Sequence, residues 1–297
     1  MTQQKVLILG VAGMVGHKLF VELSTRPELE VSATTRNTGN LSTIFDSTLL
    51  KRVTAHIDAH RFETVAHLLE TVRPDVVINC IGITKQLVDD HHPIPAIEIN
   101  ALMPHRLAEV CKKHQIRMIQ IATDCVFNGS QGNYLESDPS DATDLYGRTK
   151  FLGEVYYDHC LTVRTSFIGH EIGTSHGLVE WFLHQGHQAS GYTKAIYSGL
   201  PTVEIARVMA ELIIPNHNLH GLYHVSSDPI SKYDLLQLLA QEYAKKIAIT
   251  PNDTVAIDRS LNSDRFRKAT GFRPKSWTDA IKGMHEDYTR SGFYAKL

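Results

Sequence analysis

Three observations place the chain in the α/β class. An apolar strand runs directly into glycines spaced three apart. Apolar strands then alternate with amphipathic helices as far as about residue 165. Beyond that point the strict alternation stops. The pattern predicts a doubly wound parallel sheet of the Rossmann type with a smaller mixed C-terminal domain. The expected boundaries are 1–166 for the sheet domain, with about 195–227 returning to it, and 167–194 with 228–297 for the second domain.

The elements follow in order. Val6 to Leu9 is a short apolar strand, and Gly10, Gly13 and Gly16 follow as G-x-x-G-x-x-G. Residues 14–23 are apolar at helical spacing, so the glycines lie between a strand and a helix, where a dinucleotide-binding turn belongs. Gly10 permits the tight turn, Gly13 lets the backbone approach a pyrophosphate, and Gly16 lets the helix pack on the strand. Free N–H groups and the helix dipole then favour phosphate. The second strand is 30–34, followed by Thr35, Arg36 and Asn37. An acid here binds a ribose 2′-hydroxyl, and an arginine accommodates a 2′-phosphate. Arg36 and the missing acid favour NADP(H), with NAD(H) as the alternative.

A third strand is expected over 52–57, ending at Asp58. Asp58 could accept from an adenine amino group or cap the helix that begins near Arg61. His56 and His60 straddle a strand end and give no metal-binding spacing. Residues 62–72 form an amphipathic helix that stops at Arg73-Pro74, and DVVINCI over 75–81 reads as a central strand buried on both faces. Gly82 ends it and leaves room for a cofactor. A long helix occupies 94–114, with Asn100 near its start either facing the site or lying as a plain interior polar residue. The strand 116–122 delivers Thr123, and a helix spans 146–154. Gly10, Arg36, Gly82 and Thr123 all fall at carboxyl ends of strands, where such sheets bind ligands. A strand at 161–165, a loop at 169–177 and a short helix at 178–184 come next. Then follow a helix 203–214, a strand 221–225, a serine-capped helix 231–245, and helices near 262–270 and 277–290.

Composition narrows the function. At 297 residues the chain can bury a large core, and a net charge of -2 with no basic block argues against nucleic acid. Cys80, Cys111, Cys125 and Cys160 lack zinc or CxxC spacing, which fits reduced thiols in a cytoplasmic protein. The apolar start KVLILGVAGMVG imitates a signal peptide but is better explained by the strand and its glycine turn, and no run reaches the length of a membrane span.

Tyr146 and Lys150 stand in a Tyr-x-x-x-Lys frame, on one face of a helix. The ammonium is expected to lower the phenol below its usual value of about 10, so that it exchanges a proton with a carbonyl or alcohol. The Thr123 hydroxyl could hold the same oxygen.

The segments LGVAGMVG, DVVINCIG, IATDCVFNG, YLESDPS before LYGRTKFLGE, VRTSFIG and LPTVEIARVM together resemble the extended short-chain dehydrogenase/reductases, specifically the dTDP-4-dehydrorhamnose reductase branch. The resemblance implies NAD(P)H-dependent reduction of a nucleotide-linked 4-keto-6-deoxy sugar for polysaccharide or sugar-nucleotide biosynthesis. It implies that Thr123 and Tyr146 hold the keto oxygen, Tyr146 donates the proton, and Lys150 holds the nicotinamide ribose. It also implies a cofactor set that adds Met14, Val15, Ala59 and Cys80 to Gly10, Gly13, Gly16, Arg36, Asp58, Gly82 and Asn100. Lys85, Asp124, Val126 and Arg164 fall on the substrate side, and a homodimer contact falls over 94–114 and 144–159. Some members bind magnesium at a dimer contact; no residue here is assigned to a metal. The chain departs from the pattern at Cys125, where an aromatic is usual, at residues 80–84, and at Tyr197-Ser198-Gly199-Leu200, where Asp-Gln is usual. A dehydratase of the family uses Thr-Asp-Glu, so Cys125 removes that base. An epimerase and a non-catalytic dinucleotide-binding regulatory subunit are the other readings. Arg164, Lys194, Arg207, Arg259, Arg265 and Arg267 are the cations available to a diphosphate.

Overall fold

The computed structural model describes residues 3–39 and 41–290. The strands are β1 (Gln4–Leu9), β2 (Leu29–Thr34), β3 (Val53–Thr54), β4 (Val76–Asn79), β5 (Arg117–Thr123), β6 (Cys160–Thr165), β7 (Phe167–Ile168), β8 (Gln188–Tyr197), β9 (Leu200–Pro201), β10 (Gly221–His224), β11 (Ile230–Ser231) and β12 (Ala248–Asp258). The helices are α1 (Met14–Ser24), α2 (Leu41–Ile44), α3 (Ser47–Leu50), α4 (Phe62–Val72), α5 (Ile94–Ala96), α6 (Met103–Lys113), α7 (Leu145–Leu152), α8 (Leu178–Leu183), α9 (Thr202–Val208), α10 (Lys232–Glu242), α11 (Asp264–Thr270) and α12 (Trp277–Arg290).

Seven parallel strands form the main sheet in the order β10-β6-β5-β4-β1-β2-β3. The order reverses at β1, which pairs with β2 on one side and β4 on the other, so a crevice opens beyond their carboxyl ends. The central strands are apolar because helices cover both faces. Leu19, Phe20, Ile205 and Met209 pack with Val6 and Ile8 on one face; Val65, Leu69, Leu107 and Cys111 pack with Leu7 and Val77 on the other. The second part holds a three-stranded mixed sheet, β11-β8-β12, with its own apolar cluster from α8, α10 and α12. β10 returns to the edge of the main sheet. Among the described residues, no helix is long and apolar enough to cross a membrane.

Two expected elements change. The strand at 52–57 shrinks to Val53–Thr54 because His56 adopts a positive φ of 64°, which breaks extended backbone. The long helix over 94–114 is interrupted by a π-helical stretch, Ile97–Leu102, between α5 and α6. The β8 and β12 strands were not anticipated. β12 is largely exposed and contains Pro251, Asn252 and Asp253, so no apolar run marks it, and a bulge separates Asn252 from Ala256.

Candidate active site

The cofactor-side crevice begins at the glycine turn. Gly10 has φ +90°, and its N–H donates to Thr34 Oγ1 at 3.2 Å, tying the turn to the end of β2. A Cβ on Gly16 would collide with the Gly10 carbonyl, so that glycine is required for α1 to sit on the turn. Gly13 differs. It is exposed, and a Cβ there would meet only the Gly10 oxygen at 3.6 Å. The fold itself does not need the missing side chain; it leaves open the space in front of α1. No side chain caps that helix end and no acid lies in its first turn, so it presents N–H groups suited to an anion. Val15 is buried, and the Met14 Cε lies beneath Gly177 of the loop after β7. Arg36 is exposed two residues past β2.

Asp58 does not cap α4. Its Oδ1 accepts from the His60 N–H at 3.1 Å, while Arg61 occupies the cap position of α4 without a side-chain bond. Ala59 is half-buried against the apolar cluster under α4. Cys80 lies at the end of β4 against the Gly10 turn, and burial pushes its thiol up to about 12. Asn100 lies on the π-helical stretch and is buried. Its Oδ1 accepts from Ile83 N–H at 2.8 Å and its Nδ2 donates to the Ile83 carbonyl at 3.0 Å. It thereby clamps the loop after β4. A Cβ on Gly82 would lie 3.3 Å from Asn100 Oδ1 and 3.8 Å from Lys150 Nζ.

β5 ends at Thr123, whose Oγ1 accepts from the Cys125 N–H at 3.1 Å and donates to Asp124 Oδ1 at 3.3 Å. α7 starts at Asp144, whose Oδ1 accepts from Gly147 N–H at 2.8 Å and whose Oδ2 accepts from Lys85 Nζ at 2.9 Å. Burial opposes ionisation of Asp144, but the Gly147 N–H and the Lys85 ammonium hold it below the usual carboxylate range. Asp144 thus fixes the start of the helix that carries Tyr146 and joins it to the loop after β4. Sequence reasoning passed over it, although an aspartate three residues before Gly147 is a cap signal. Lys150, one turn past Tyr146, is buried and donates to the Ile121 carbonyl at 3.0 Å. Burial lowers it to about 8, while the Glu154 carboxylate acts to keep it charged.

Tyr146 departs from expectation. Burial raises its phenol above the ordinary value, and the nearby Cys125 adds to this; hydrogen bonding with Thr123 pulls the other way. The Lys150 Nζ donates to the Ile121 carbonyl, and burial outweighs any lowering of the phenol by its charge. A phenol raised in this way is fully protonated at neutral pH, which suits a proton donor better than a base.

Two expected substrate contacts are not available. Arg164 is 2% exposed; its Nε and Nη2 donate to Glu154 Oε1 and Oε2 at 2.6 and 2.7 Å, and the guanidinium lies 5.1 Å from the Phe127 ring centroid. Glu154, with both oxygens so engaged, also accepts from the Tyr156 hydroxyl. Val126 is fully buried with Phe127, Tyr134 and Leu261. Lys85 and Cys125 remain at least partly exposed, and Asp124 is buried beside Thr123. Burial raises the Asp124 carboxyl, opposed by the Arg259 charge.

The RmlD substrate binding domain family matches residues 4–290, nearly the whole chain and both lobes of the crevice. The chain belongs to that family. It is 27% identical to the spore coat polysaccharide biosynthesis protein SpsK of Bacillus subtilis (strain 168), over 94% of this chain and 95% of the relative. It is also 27% identical to a dTDP-4-keto-6-deoxy-D-glucose reductase of Streptomyces niveus, over 93% and 94%. In fold it is similar to the dTDP-4-dehydrorhamnose reductase of Bacillus anthracis str. Ames crystallised with NADP: TM-score 0.78, 22% identity, 96% of this chain and 100% of the other.

Proposed function

We propose that the chain is an NADP(H)-preferring reductase of a nucleotide-linked 4-keto-6-deoxy sugar, serving polysaccharide or sugar-nucleotide biosynthesis. The observation that carries this is the convergence of Thr123, Tyr146 and Lys150 at the carboxyl ends of the same sheet that carries the open glycine turn. When bound, the dinucleotide supplies a hydride to the carbonyl carbon. Tyr146 gives its proton to the carbonyl oxygen as that oxygen gains charge, and the Thr123 hydroxyl positions the same oxygen. Lys150, charged below about pH 8, is assigned to the nicotinamide ribose.

The cradle is assigned to Gly10, Gly13, Met14, Val15 and Gly16, with Arg36 on the 2′-phosphate. Asp58, Ala59, Cys80, Gly82 and Asn100 complete the walls. Arg36, with no acid beside it, supports NADPH over NADH. Residues 1–166 with about 195–227 act as the dinucleotide half, and 167–194 with 228–297 as the substrate half. Ile94, Ile97, Leu102, Phe151 and Leu152 are exposed along α5–α7 and support a homodimer across that face, which light scattering would read. Four free thiols support a cytoplasmic location.

The test is NADPH oxidation with a panel of 4-keto sugar nucleotides. Tyr146→Phe is expected to lose about 10²- to 10⁴-fold in turnover while binding NADPH normally. Near-normal turnover in that variant would place the chemistry elsewhere.

A further inference from the structure

Tyr146 lies in the first turn of α7, where backbone N–H groups have no partner within the helix. Two ties fasten that helix to the loop after β4, and Tyr146 lies between them in the chain. Past Tyr146, Asn100 Nδ2 donates to Thr149 Oγ1 at 3.5 Å, and the same side chain clamps Ile83 by its N–H and its carbonyl. Before Tyr146, Lys85 Nζ donates to Asp144 Oδ2 at 2.9 Å. Lys85 opens a single 3₁₀ turn, Lys85–Leu87, two residues past the clamped Ile83. The Leu87 N–H closes that turn on the Thr84 carbonyl at 2.9 Å. A Cβ on Gly147 would lie 2.3 Å from the Cys125 carbonyl, so the first turn of α7 also rests directly on the segment after β5.

The tie at Asp144 also balances a charge. Burial raises the Tyr146 phenol most, and Cys125, Asp124 and Asp144 act in the same direction. A nearby carboxylate opposes the negative charge that the phenol oxygen gains as its proton leaves. Burial already raises Asp124 toward its neutral form. Burial opposes the charge on Asp144 too, but there the Gly147 N–H and the Lys85 and Arg259 charges keep the carboxylate ionised. The resemblance sets Lys85 on the substrate side; in the fold its ammonium lies on this carboxylate instead. The two side chains are 49% and 34% exposed, and a pair so exposed adds little to stability. Asp144 Oδ1 reaches the Gly147 N–H without help from Lys85. What the pair sets is the place and the charge of the group beside the proton donor.

We propose that Lys85 is a positioning residue for the reduction, acting on Tyr146 through Asp144: it holds the start of α7 to the loop after β4 and offsets a carboxylate charge that opposes proton transfer. The role rests on the reductase reading above, and Lys85 needs no contact with substrate to fill it.

The experiment is a double-variant cycle on NADPH oxidation with dTDP- and UDP-linked 4-keto-6-deoxyhexoses, with NADPH titration and a thermal melt of each protein. Lys85→Met is expected to lower kcat by about 3- to 10-fold, the scale of one partly screened charge, with KM, NADPH affinity and melting temperature close to wild type. Lys85→Arg, which can still pair with Asp144, keeps most of the rate. The deciding background is Asp144→Asn, because asparagine caps a helix about as well as aspartate and carries no charge. There Lys85→Met has no further effect, and the double variant matches Asp144→Asn in kcat. A loss of the same size in both backgrounds, or a loss that falls on KM, means that Lys85 acts on the substrate directly. Either result, or an unchanged kcat in Lys85→Met, overturns the positioning role and leaves the reductase reading standing. A wild-type protein that turns over neither sugar nucleotide overturns the reductase reading and the role with it.

Discussion

Three glycines stand three apart after β1, and their missing side chains do different work. Gly10 supplies a positive φ, Gly16 a close approach of helix to turn, and Gly13 only open space. Substitutions should separate these roles. Gly16→Ala is expected to cost about 1–3 kcal/mol of stability, because the added methyl forces the helix off the turn. Gly13→Ala is expected to keep the melting temperature and lose NADPH affinity. Thermal melts with and without NADPH read both; a Gly13→Ala protein that binds NADPH normally would mean that no phosphate approaches that backbone. Tyr146 carries a similar lesson. Burial, more than the lysine four residues on, sets its phenol and keeps it protonated at neutral pH.

At the scale of elements, α7 is held at both ends. Asp144 caps its start, and just beyond its end Gly153 abuts the π-helical stretch so closely that a Cβ would collide with the Asn100 carbonyl. Glu154 then turns inward to Arg164 on β6. The pair is buried, so removing one member strands the other's charge away from water. Arg164→Met is expected to destabilise the protein by about 3–5 kcal/mol, and adding Glu154→Gln should restore part of that. Urea denaturation of the single and double variants measures it. A single-variant loss of under about 1 kcal/mol, the range of exposed pairs, would contradict the buried-pair account.

At the scale of the whole molecule, buried histidines tie stability to pH. Burial lowers His17, under the glycine turn, to about 4, and lowers His224, which also faces the Arg164 charge, to about 3. Both stay neutral in the folded chain at pH 5 and take up protons on unfolding. The unfolded state then binds more protons, so stability falls as pH drops below about 6.5. Each histidine contributes a loss of up to about 2 kcal/mol between pH 7 and 5. Asp124, raised by burial, acts in the opposite sense. Urea titrations at the two pH values should show the loss, and His17→Gln should reduce it. Equal stability at pH 7 and 5 would mean that these rings are hydrated.

The sequence by itself determined the parallel sheet and the glycine turn after its first strand, because burial on both faces leaves continuous apolar runs and the turn leaves glycines at fixed spacing. It also determined the frame of Thr123, Tyr146 and Lys150, since helix periodicity places residues four apart on one face. It did not reveal β8 or β12: the inward positions of β8 are held mostly by small residues, Ala189, Gly191 and Ala195, and β12 is largely exposed and contains Pro251. Nor could it sort the cations. Arg164 and Arg259 are the same residue type, and both end beside Phe127. Only the tertiary structure decides that one meets a buried glutamate and the other a backbone carbonyl. The charge of an arginine is written in the sequence, but whether a carboxylate lies within reach depends on contacts between residues far apart in the chain, as with Phe127 and Arg259.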